Sequence, residues 1–415
     1  MPSYSAFLGH QPHISIAELS AAIPGFSNPV VLESSVVLFE STAELAPQDI
    51  DMLGGTIALA KKLNEQPKSL ADVPHLLRQQ FAGIADKKVT FSFRCMGLPP
   101  GDVKKLYHNS KAFLKSFNLP SRYVGSERNP AAAVLVHQAG LLTDKTGCEL
   151  TVIGIKDAKT TKMWVGRTIA VQDVEAYTKR DMYKPVRDTR VGLLPPKLAQ
   201  VLLNFGIWLT KDSHVGLRAS KETLTIFDPF CGTGVIPMEC LLRGFEVLAS
   251  DMSEKAVTGC KKNLDWVRKE HDVSKKDVKA EVWKHDARKA FDIKPANFPD
   301  VIVTEGSLGP ALMKQPAIRD AQSMSREVDE LTEAFLRNVH ATLPGVHVVM
   351  TWPVCQTSKG PVFLEHTREK LHDCGFQLIT PASVRSEKMP RGTLVYKRPD
   401  QFVGREIIIL KAKTK

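Results

Sequence analysis

The chain has 415 residues, 43% of them hydrophobic and 24% charged, with a formal net charge of +11 and a pI of about 9.2. That length exceeds one ordinary core and predicts two or three domains. No apolar run approaches the roughly 20 residues of a membrane span, and the opening MPSYSAFLGHQPHIS has no charged segment followed by an apolar one, so neither a spanning protein nor a signal peptide is expected. The basic excess fits either a polyanionic partner, nucleic acid before membrane surface, or a basic enzyme without one. The cysteines, Cys95, Cys148, Cys231, Cys240, Cys260, Cys355 and Cys374, are dispersed with no CxxC pair. That argues against a structural zinc site, predicts no metal, and reads as reduced thiols in a cytoplasm.

In chain order, a short strand is predicted near 3–8, a helix near 14–22 and a strand at 36–40. Residues 51–80 read as helical, with IALAKKLNE following a Gly-Gly turn. KVTFSFRC (88–95) alternates like a strand, and GDVKKLYHNSKAFLKSF (101–117) has helical spacing with an aspartate in the first turn. Two strands, 148–156 and 162–171, flank an Asp-Ala-Lys turn. Together these predict an N-terminal α+β region over 1–171. Residues 172–197 are polar, closed by Pro-Pro, and read as a basic linker or an RNA-contact strip.

From 198 to 415 strands and helices alternate. Helix 198–210 precedes strand 223–228, helix 235–243, strand 246–250, helix 253–270 and strand 281–286. Then come strand 301–304, helix 323–342, strand 347–352, helix 362–373 and strands near 376–380 and 405–411. This α/β alternation predicts a doubly wound, mostly parallel, Rossmann-like sheet.

Strand 223–228 runs into DPFCGTG, Asp228 to Gly234, just before a helix. Ligands bind at such a place in an open α/β sheet. Gly232 and Gly234 permit a tight turn and close approach to a ligand. The next strands end at Asp251, suited to ribose hydroxyls, and at Asp286, suited to an adenine amine. Three aspartates at three consecutive strand ends predict an adenosine-containing cofactor. CGTGVIP lacks the third glycine of a dinucleotide fingerprint, and Asp228 would repel a pyrophosphate while suiting an ammonium. S-adenosylmethionine is therefore favoured over NAD.

DPFCGTG with Glu239 downstream resembles motif I of class I RNA methyltransferases, most closely those that make N2-methylguanosine at position 10 of tRNA. FLGHQPHISIAEL and MLGGTIALAKKL resemble the N-terminal part of that group. WVGRTIAVQDVEAYTKRDMYKPVRDTRVGLLPPKLAQVLLNFG resembles its passage from a THUMP domain into the catalytic domain. The resemblance implies a THUMP-like domain within 1–171, a methyltransferase domain at 198–415, and a cytoplasmic tRNA partner. It assigns the cofactor to Asp228, Phe230, Gly232, Gly234, Asp251 and Asp286, and RNA contacts to Arg180, Arg187, Arg190 and Lys197.

The family's Asp/Asn-Pro-Pro-Tyr/Phe motif falls on Glu305, Gly306, Ser307 and Leu308. Glu305 keeps the catalytic acceptor but adds a methylene, about 1.3–1.5 Å of reach. A misplacement of about 1 Å can cost about a hundredfold in rate. Gly306 and Ser307 replace the rigid prolines, and Leu308 stands where an aromatic ring would support the base. Trp352, at the expected end of the next strand, is the compensating stacking candidate. Three readings follow: an RNA methyltransferase with a variant loop, an inactive tRNA-binding protein of the same fold, or a methyltransferase for DNA or protein. The THUMP-like half disfavours the third. Need for a partner subunit stays open.

Overall fold

The computed structural model describes residues 1–85, 87–128, 130–156, 161–188, 193–210, 224–381, 391–399 and 401–413. The chain forms two compact units. The first contains residues 1–12, 25–51 and 56–176; the second contains 13–24, 52–55 and 177–415.

The first unit is built on one sheet, of eight strands among the described residues. These are β1 (Ser3–Leu8), β2 (Ser27–Leu32), β3 (Val36–Glu40), β4 (Thr56–Lys62), β5 (Val89–Met96), β6 (Ser121–Tyr123), β7 (Gly147–Lys156) and β8 (Thr161–Val171). Their order is β2-β3-β1-β4-β8-β7-β5-β6, antiparallel except for β5 with β6 and β7. Helix α1 (Pro12–Ala22) follows β1, and α2 (Val73–Gln79), α3 (Pro100–Ser116), α4 (Ala133–Gln138) and α5 (Val174–Met182) come later. Buried residues of α2 and α3 pack with Phe91, Phe93, Leu150 and Val152 of β5 and β7.

Strand β4 corrects the helix expected over 51–80, of which only α2 forms. Ala, Leu and Lys favour helix locally, but β4 pairs with both β1 and β8 and buries Ala58, Leu59 and Ala60 between them. A central sheet position outweighs a weak intrinsic preference. The Asp-Ala-Lys turn lies outside the described residues. Within 172–197, α5 forms, and Tyr177, Arg180 and Lys184 are buried.

The second unit recruits α1 residues through Glu18. This buried carboxyl accepts the Gly54 and Gly55 amides at 2.8 Å each and Asn204 Nδ2 at 2.7 Å. Burial pushes it up to about 7. The elements that follow are α6 (Pro196–Thr210), β9 (Thr225–Asp228), α7 (Val235–Leu242), β10 (Glu246–Asp251), α8 (Glu254–Glu270), β11 (Ala280–Lys284), β12 (Val301–Glu305) and α9 (Ile318–Thr342). The chain closes with β13 (His347–Thr357), β14 (Gly360–Val362), α10 (His366–Glu369), β15 (Phe376–Leu378), β16 (Leu394–Tyr396) and β17 (Val403–Ala412).

The sheet order is β11-β10-β9-β12-β13-β17-β15, with β14 on β13 and β16 on β17. The first five strands are parallel; β17 enters antiparallel beside β13. Side chains alternate between two apolar faces, as a sheet covered on both sides requires. Val301, Val303 and Ile407 meet α6 and α7, while Ile302, Val348 and Ile408 meet α9. The α/β, Rossmann-like expectation holds. Strand β13 runs on through Pro353 to Thr357, five residues past its expected end, because β17 pairs with it as far as Cys355 and β14 pairs with Cys355 to Thr357. The helix expected over 362–373 is a single turn, α10. Among the described residues no helix is long and apolar enough to cross a membrane.

Candidate functional site

The parallel strands β9, β10 and β12 end on one edge of the sheet, where the second unit is hollow. A cavity of about 340 Å³ lies between the glycine loop, residues 186–188 and 193–194, and Glu305–Gly309. A second, of about 430 Å³, is lined by Asp286, Arg288 and α9 residues Met324 and Val328. Phe230, Asp251, Ser307 and Gly309 line both.

The glycine loop joins β9 to α7. Gly234 has a φ of 88°, and a Cβ there would lie 2.6 Å from Cys260 Sγ on α8. Only glycine allows both that left-handed turn and that approach. Gly232, at φ 50°, has open space where a Cβ would stand. Its amide donates to Asp251 Oδ2 at 3.0 Å, and the Ser253 amide donates to Oδ1 at 2.8 Å. Asp251 thus fastens the loop to the end of β10 and keeps a spare lone pair on each oxygen for hydroxyls.

Asp228 is buried. Its Oδ1 accepts from Thr304 Oγ1 at 2.6 Å and from the Phe230 amide at 3.2 Å. Burial outweighs both bonds and pushes the carboxyl up to about 8, so it is mostly protonated at neutral pH. Phe230 sets its ring edge-on to Phe335 of α9 at 5.1 Å. Asp286 lies two residues past the end of β11. It takes both Arg288 Nε and Nη2, at 3.0 and 2.8 Å, and that fork holds it down at about 2. Any ligand amine must share Asp286 with Arg288.

Glu305 ends β12 on the other side of the cavity. Arg405 Nε, from β17, donates to Glu305 Oε1 at 2.5 Å. Burial raises the Glu305 carboxyl, and the guanidinium opposes that rise. Arg405 is itself buried, and its Nη2 donates to the Leu193 carbonyl at 3.4 Å. A Cβ on Gly306 would come within 2.9 Å of the Thr351 carbonyl oxygen, so this position has no room for proline without a backbone shift. Ser307 Oγ accepts the Gly309 amide at 3.3 Å, closing the loop. Leu308 lines the cavity.

Two expectations are corrected. Trp352 is not a stacking face: it is wholly buried in the core with Phe335 and Ile408, because β13 continues past it. Arg180 is not an RNA contact. Its side chain is buried and donates to Glu239 Oε1 at 2.8 Å, with Gln200 Nε2 on Oε2 at 2.6 Å. Arg187 does line the cavity. Lys197 is half-buried over the Tyr177 ring, 5.1 Å from its centroid. Arg190 lies outside the described residues. Arg405 is the site residue that sequence reasoning missed. A charged Arg-Glu pair inside VGREIIIL, an otherwise apolar strand, was the available signal.

Residues 209–297 match the family described as conserved hypothetical protein 95. A tRNA (guanine(10)-N2)-dimethyltransferase of Pyrococcus abyssi is 25% identical over 211 residues, 51% of this chain and 53% of that relative. The enzyme of the same name from Methanothermobacter thermautotrophicus is 28% identical over 152 residues, 37% of this chain and 36% of the relative. The match therefore spans about half, or less, of the curated relatives. TrmN from Thermus thermophilus aligns with 99% of this chain and 100% of its own, at 15% identity and a TM-score of 0.49. By sequence, the chain is similar over part of its length to two tRNA (guanine(10)-N2)-dimethyltransferases.

Proposed function

We propose that the chain is an S-adenosylmethionine-dependent RNA methyltransferase acting on an exocyclic base nitrogen of cytoplasmic tRNA, guanosine N2 foremost. The carrying observation is convergence: two adjoining cavities with the glycine loop and Asp251 on one side and Glu305 on the other. The names of the curated relatives favour tRNA guanosine as substrate.

The residues fit the cofactor. The open face of Gly232 admits a ligand beside the loop, and Asp251 offers lone pairs to a ribose. Phe230 and Asp286 line the second cavity, which suits a purine ring and its amine. Asp228 ionises readily once a cationic amino-acid end lies near it. When bound, S-adenosylmethionine supplies a sulfonium methyl, which an amine nitrogen takes while the electron pair of the broken C–S bond stays with sulfur. Glu305 accepts a hydrogen of that amine, which turns the nitrogen lone pair toward the methyl carbon. The same carboxylate then takes the proton that the methylated nitrogen sheds. Leu308 and the 193–194 segment supply apolar walls for the flipped base.

A second reading, an inactive tRNA-binding protein that keeps the fold, draws on Leu308 at the stacking position and on the burial of Trp352. Calorimetry with S-adenosylmethionine, combined with incorporation of labelled methyl into a tRNA pool, separates the two. The proposed function expects cofactor binding, weakened in Asp251→Ala, together with labelled RNA. Cofactor binding without label in any tRNA favours the second reading.

A further inference from the structure

The sequence loses the proline pair that would stiffen the acceptor loop, yet the acceptor is not loose. Glu305 meets a guanidinium that is itself only 2% exposed. A buried arginine is costly unless its N–H groups are matched, so its position is tightly set by what it binds. Among the described residues, Arg405 binds two things: Glu305 Oε1 and the Leu193 carbonyl. Both partners belong to residues that line the first cavity. Glu305 Oε2 has no hydrogen-bond partner among the described residues.

We propose that Arg405 is the positioning residue of this site. Its guanidinium pins one oxygen of Glu305 and the wall at Leu193, leaves Oε2 for the substrate amine, and so replaces the rigidity that a proline pair would supply. The inference rests on the proposed transfer to an amine. The longer glutamate side chain needs a second anchor where an aspartate would not, and Arg405 is that anchor. A base amine carrying a fourth substituent is a strong acid. A carboxylate raised by burial, with the guanidinium opposing that rise, receives its proton, which Oε2 then passes to solvent.

The test uses the full chain labelled with carboxyl-13C glutamate, with the Glu305 resonance assigned by its loss in Glu305→Gln. Arg405→Met should move the Glu305 titration midpoint upward by about 1–3 pH units, and Arg405→Lys by less. In parallel, Arg405→Met should lower kcat for tRNA methylation about tenfold to a hundredfold. KM for tRNA and calorimetric affinity for S-adenosylmethionine should stay within about twofold, with partial rescue in Arg405→Lys. An unmoved midpoint overturns the proposal. So does a moved midpoint with unchanged kcat, since the pair would then serve the fold alone. If wild-type protein labels no RNA, the proposed function fails. The titration then still decides whether Arg405 holds Glu305.

Discussion

Asp251 and Glu305 face one cavity but are held in different ways. Asp251 is held by backbone amides close in sequence, from Gly232 and Ser253. Glu305 is held by a side chain a hundred residues further along, Arg405 on an antiparallel strand. Backbone donors survive most substitutions around them, whereas a side-chain clamp fails with a single change. The proposed cofactor half of the sheet edge is therefore built to be robust, and the proposed acceptor half depends on one guanidinium.

Four substitutions break or sharpen that contrast. The largest effect is on stability. Glu239→Ala leaves Arg180 buried without its carboxylate behind the glycine loop, and should destabilise the chain by about 3–5 kcal/mol in urea unfolding. Next, Glu305→Ala should lower the methylation rate by about a hundredfold, with S-adenosylmethionine affinity held within about twofold. Asp251→Ala should do the opposite, weakening the cofactor by about tenfold to a hundredfold, as expected for lost hydrogen bonds to a charged group worth about 1.5–3 kcal/mol. If both variants lose cofactor affinity alike, the two halves are not separable.

The fourth effect is a pH slope at Asp228. Its carboxyl is raised from 3.8 to about 8 in the folded chain. The fold therefore holds this proton more tightly than the unfolded chain does. The resulting stability is fully present below about pH 4 and is lost as pH rises through about 8. Asp228→Asn, neutral throughout, should flatten that decline when melting temperatures are compared at pH 5 and pH 7.5. An unchanged slope would place the titration elsewhere.

What the sequence disclosed follows the same division. The glycine loop, Asp251 and the parallel strands rest on short-range patterning: turn residues, alternation, and carboxylates at strand ends. The acceptor side rests on pairing between distant strands. Nothing local in VIVTEGSLGP announces Arg405, and nothing in VVMTWPV shows that β17 carries β13 past its proline and buries Trp352. Arg180 reads as a surface cation in a basic stretch until Glu239, 59 residues away, is found against it. The helical reading of TIALAKK failed for a related reason. Its composition is helical, and only its two sheet neighbours make it a strand.

The central claim is that this edge transfers a methyl group to an exocyclic base nitrogen with Glu305 as acceptor. The most direct measurement incubates wild-type protein and Glu305→Ala with unmodified tRNA and labelled S-adenosylmethionine, then digests the RNA and identifies the nucleosides by mass. The account predicts N2-methylguanosine from the wild-type protein and its near loss in the variant. A full tRNA pool with no methylated nucleoside, or equal product from both proteins, would contradict it.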